Sequence, residues 1–115
     1  ETRDYLSIDV FVQKLSALLY SLAEKPKAQP EKSSALKINI ASGDATEIGE
    51  CAEIIRNLLE SPKSIGFLGQ SIQGQPEHWQ ADTALYDQIV RPKIPFNFEA
   101  ELAKTLLAWK NAQKT

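Results

Sequence analysis

The sequence predicts a small α+β domain, mostly helical, with about four helices and one or two short strands. Three observations carry this. Four segments place apolar residues at helical spacing, one segment alternates apolar with polar residues, and proline- or glycine-containing stretches separate them. The length of 115 residues, with 43% hydrophobic and 24% charged, suits one core rather than two, so residues 1–115 read as a single domain.

The first segment carries two patterns. Leu6, Ile8, Val10 and Val12 alternate as in a strand. Ile8, Phe11, Val12, Leu15, Leu18, Leu19 and Leu22 recur at helical spacing over about four turns, and the longer pattern prevails. Ser7 is placed to cap this helix, with Leu6 and Phe11 positioned as a hydrophobic staple. The expectation is an amphipathic helix from about Ser7 to Lys25, with that stripe as its apolar face.

Residues 26–34 read as a flexible connector, because two prolines, mixed charge and the lack of a large apolar side chain leave nothing to bury. Leu36, Ile38 and Ile40 then alternate with Lys37 and Asn39, the clearest strand pattern in the chain, reaching Ala41. Ser42, Gly43 and Asp44 turn the chain into a second helix. Asp44 stands as its cap and Glu47 three residues on, the spacing of a capping box. Ile48, Cys51, Ala52, Ile55, Leu58 and Leu59 line one face, and Pro62 lies beyond its end. Gly49 falls on the outer side, where glycine costs about 1 kcal/mol relative to alanine, which suggests close approach of another backbone.

A strand needs a partner, and Ser64 to Leu68 is the candidate within the chain. Asp82 is expected to cap a third helix running to about Val90, with Leu85, Tyr86, Ile89 and Val90 inward. Pro92 and Pro95 bracket an extended stretch, and Asn97 caps a last helix to about Asn111. Its apolar arc is broad: Phe98, Leu102, Leu106 and Trp109 form one stripe, and Ala100, Ala103 and Leu107 an adjoining one. Such a helix is either packed on two sides or offers its second side to a partner.

Composition excludes several functions. Thirteen Lys and Arg against fifteen Asp and Glu, scattered along the chain, give no basic face for a nucleic acid. No apolar run approaches the ~18 residues of a membrane span. One cysteine, Cys51, and one histidine, His78, cannot build a zinc site that needs about four such ligands, nor an intramolecular disulfide. No cofactor is expected, and the cysteine usage slightly favours a soluble, cytoplasmic setting. The chain opens at Glu1 with no methionine, so it reads as processed or as an excerpt of a longer protein.

No catalytic constellation emerges. Ile65 to Ile72 has the glycine spacing of a GxxG nucleic-acid clamp, but Phe67 and Leu68 stand where polar or basic residues belong. Gly69-Gln70-Ser71-Ile72-Gln73 lacks the second glycine of a nucleophile elbow. Two readings remain. The first is a non-catalytic protein-interaction or regulatory domain, acting alone or as a subunit or module of a larger assembly, bound to another protein or to a second copy. Its candidate contacts are Phe67 and Trp79, since aromatic side chains are enriched at binding hot spots, and Leu107 on the broad apolar arc of the last helix, although a core role suits Phe67 and Trp79 as well. The second is a small-molecule or nucleotide site, with or without enzymatic activity, at the strand-turn-helix, where Ser42, Gly43 and Thr46 would meet an anion at a helix N-terminus and His78 would supply the acid-base group. Asp44 and Glu47 already bring negative charge there.

Overall fold

A computed structural model of the chain describes residues 1–24 and 35–114. The expected connector at 26–34 and Lys25 lie outside the described residues. Among those described are four helices and one two-stranded sheet: β1 (Thr2–Asp4), α1 (Ile8–Ala23), β2 (Ala45–Glu47), α2 (Ile48–Leu58), α3 (Ala84–Ile89) and α4 (Phe98–Ala112). The fold is therefore α+β and mostly helical, as the patterning predicts.

The caps explain two of the helices. Ser7 adopts extended backbone and its hydroxyl accepts from the Val10 N–H at 3.3 Å, starting α1. Asn97 does the same for α4, its side-chain oxygen accepting from the Ala100 N–H at 2.8 Å. For α3 the cap moves one residue on, to Thr83, while the Asp82 carboxylate accepts from the Ala84 N–H at 2.9 Å.

The strands lie where the sequence did not point. β1 and β2 pair antiparallel, with Thr2 opposite Glu47, Arg3 opposite Thr46 and Asp4 opposite Ala45. The Ser42–Asp44 turn thus leads into a strand, and the helix begins only at Ile48. Its cap, Glu47, makes no side-chain capping bond, so the expected Asp44–Glu47 capping box does not form. On its other edge β1 meets the 76–81 loop: the Thr2 N–H donates to the Glu77 carbonyl at 2.8 Å and the Trp79 N–H to the Thr2 carbonyl at 3.1 Å.

Leu36–Ala41 is not a strand, and neither is Ser64–Leu68. The alternation is real as burial: Ile38 and Ile40 are half-buried and pack on the core, while Leu36, Lys37 and Asn39 are exposed. Period-two patterning reports one covered face. Here the cover comes from the core cluster, with no neighbouring strand in the ladder.

That core comprises Leu18, Tyr86 and Val90, joined by Ala17, Ile38, Ile40 and Ile89. It sits between α1 and α3. Leu85, expected inward, is exposed, because α3 is short and presents Tyr86 and Val90 instead.

Lys14 is the most deeply buried large side chain, at 2% exposure. Its ammonium donates to the Ala41 carbonyl at 2.7 Å and lies 5.1 Å from the centre of the Tyr86 ring. The Tyr86 hydroxyl donates to the Lys14 carbonyl at 2.8 Å. The buried cation is thus met by a carbonyl dipole and an aromatic face.

Candidate interaction surface

The burial of Lys14 fixes the rotation of α1, and this overturns the expected orientation of that helix. Its inward residues are Val10, Lys14 and Leu18. Ile8 is 71% exposed and Leu19 60%, and Val12, Tyr20 and Leu22 are exposed beside them. At 100° per residue the stripe Ile8, Val12, Leu15, Leu19, Leu22 lies roughly 120° around the helix from the buried row. The stripe read from the sequence as one apolar face divides: Leu18 enters the core, Phe11 and Leu15 are half-buried, and the remainder faces outward.

The three partner-contact candidates are all exposed: Phe67 at 68%, Trp79 at 58% and Leu107 at 60%. They do not form one cluster. Phe67 lies in the 64–75 loop and its ring approaches α2, where a Cβ placed on Gly49 would stand 3.4 Å from Phe67 Cζ. The close approach at Gly49 is therefore by an aromatic ring and not by backbone, as the sequence suggested. Phe67 also lines an open groove with Leu68, Ile72, Glu1 and Glu77. Trp79 is anchored beside β1 through its backbone N–H. Leu107 is on α4, whose Phe98, Leu102 and Leu106 are half-buried, while Leu107 and Trp109 point away.

The Ser42–Thr46 turn is built around a carboxylate that the sequence reading overlooked. Asp4, at the end of β1, accepts from the N–H groups of Ser42 at 3.0 Å, Gly43 at 3.1 Å and Ala81 at 3.2 Å. The Ser42 hydroxyl donates to the same carboxylate. Ser42 is buried, and Gly43 has φ +79°, which aims successive N–H groups at one point. The anion that this turn binds is thus the chain's own Asp4. Thr46 lies in β2 opposite Arg3, away from a helix N-terminus, and His78 accepts or donates at Thr2 Oγ1, 3.2 Å from its Nδ1.

An apolar cavity of about 190 Å³ lies between the β1–α1 junction, α2 and α4, lined by Tyr5, Leu6, Cys51, Phe96, Phe98 and Leu102. The Tyr5 and Phe98 rings stack at 5.4 Å between centres, tilted by 34°. Two of its polar side chains already have partners: Ser7 donates to Glu101 at 2.8 Å and Thr105 to the Glu101 carbonyl at 3.0 Å. Burial pushes the Cys51 thiol up, away from the reactive thiolate. Ligand sites run to ~300–1,000 Å³ and keep free polar groups for orientation, so this space reads as loose packing.

Among the described residues no group of His, Cys, Asp and Glu is arranged to hold a metal ion. No described helix is long and apolar enough to cross a membrane. No family model, no curated protein and no solved structure matches the chain.

Proposed function

We propose that the domain is a non-catalytic protein-interaction module, regulatory or structural, that works as part of a larger assembly. One observation carries the reading. Among the described residues four hydrophobic side chains are buried, while thirteen large ones are exposed, several of them aligned along α1. Single exposed apolar residues are ordinary, but aligned ones mark a surface that another chain covers. The partner is another protein chain. The charge balance offers nothing to a nucleic acid, and the donors of the Ser42–Thr46 turn are taken by Asp4.

Affinity capture from a native extract, with the natural chain beside Phe67→Ala, Trp79→Ala and Leu107→Asp, tests this. The expected result is a stoichiometric protein partner that at least one variant loses while its thermal midpoint stays close to that of the natural chain. If all three variants unfold, those side chains are core and the reading fails. Capture of nothing by the folded natural chain also counts against it.

A further inference from the structure

We infer that α1 pairs with α1 of a second copy of this chain, along the stripe Ile8, Val12, Leu15, Leu19 and Leu22. This deepens the interaction reading above and rests on it. The stripe residues are separated alternately by four and three positions, the repeat of a helix that packs lengthwise on another with the same repeat. α1 spans sixteen residues, or about 24 Å, enough for two such repeats. The row Val10, Lys14 and Leu18 is committed to the domain, while of the stripe Ile8, Val12, Leu19 and Leu22 stay exposed and Leu15 is half-buried.

Self-complementarity selects a second copy as the occupant. A two-fold pair presents the same patch from both sides, and a four-three apolar seam fits itself. Among the described helices α1 is where this seam is exposed. On α4 the outward Leu107 and Trp109 stand two positions apart. The stripe itself holds no charge. The charges of α1 are Asp9, at the first turn, and Lys14, which is buried, so facing copies bring almost no like charge together. Two copies would cover on the order of 1,000 Å² in total, where specific interfaces begin.

Light scattering and sedimentation of the purified chain, from low to high micromolar concentration, test the inference. The expected mass rises with concentration to twice that of the monomer. Leu19→Glu is expected to weaken pairing on the order of 100-fold, since it leaves an unpaired charge in the seam, with an unchanged circular-dichroism spectrum and thermal midpoint. Leu107→Glu is expected to pair like the natural chain. A natural chain that stays monomeric, or a dimer indifferent to Leu19→Glu, overturns the proposal. Should Leu19→Glu unfold, Ile8→Glu takes its place, and pairing unaffected by that change is equally fatal. A monomeric chain that still captures another protein would sink the self-pairing and leave the interaction reading standing.

Discussion

Asp4 and Gly43, thirty-nine positions apart, meet through a hydrogen bond of 3.1 Å from the glycine N–H to the aspartate carboxylate. The same carboxylate takes the N–H groups of Ser42 and Ala81, so one side chain holds the end of β1, the 42–44 turn and the loop before α3 in fixed relation. Removing it strands several donors at once. Asp4→Ala is expected to destabilise the domain by about 2–3 kcal/mol, and Asp4→Asn by less, because the amide keeps one acceptor oxygen. Chemical denaturation of the two variants checks both the size and the order.

Gly43 is required twice over. Its φ of +79° disfavours any side chain, and an added Cβ would stand 3.0 Å from Thr83 Oγ1. Gly69, at φ +66°, has nothing within 4 Å of the same position. Gly69→Ala therefore isolates the cost of the backbone conformation, about 1 kcal/mol, and Gly43→Ala is expected to exceed it by the displacement of Thr83. Equal losses in the two variants would show that the approach to Thr83 is unimportant.

Lys14 predicts the alkaline behaviour. Burial pushes its ammonium below the usual lysine range, partly offset by the negative charge of Asp87. A group that holds its proton less tightly when folded makes stability rise with pH between its lowered folded value and the ordinary one. The domain should thus gain stability as pH rises from that lowered value toward the ordinary lysine value of about 10.4. Lys14→Met should flatten that rise, as thermal midpoints measured across the range will show.

Glu101 governs the acid side. Hydrogen bonds from Lys104 and from Ser7 hold its carboxyl below the usual carboxylate range. The stabilisation is present above the ordinary carboxylate pKa and is lost as pH falls through the lowered folded value. Glu101→Gln is expected to leave less loss of stability below about pH 4 than the natural chain shows. The comparison should be made at low salt, since Lys104 is exposed and its ion pair is readily screened.

The helices were legible because their ends carry local chemistry. Ser7 and Asn97 cap by hydrogen-bonding N–H groups three residues on, and such signals sit within a few positions of sequence. Which way α1 faces was not legible. A lysine at position 14 reads as solvated, and only the carbonyl of Ala41 and the ring of Tyr86 make its burial tolerable. The spacing of Ile8, Val12, Leu15, Leu19 and Leu22 was available as a signal, but periodicity locates an apolar face without saying what covers it. β1 escaped notice for a different reason. Thr2-Arg3-Asp4 has no alternation, and the strand is held by backbone bonds to distant segments and by the Asp4 carboxylate. Of the candidate contacts, Phe67, Trp79 and Leu107 were legible as large apolar residues in a broad arc or a loop. The stripe on α1 was assigned to the core instead.

The Asp4 junction also sets an order of events. Its hydrogen bonds join positions 38 and 77 residues apart, whereas α1 closes its own bonds over single turns. During synthesis residues 1–4 are made before their partners, and the Asp4 carboxylate is fully claimed only once Ala81 has left the ribosome. Helix formation takes about a microsecond, while closure of long loops comes later and governs the overall rate. Among the described elements β1 is made first, yet its end is locked in place only once the loop after the fourth, α2, has been made.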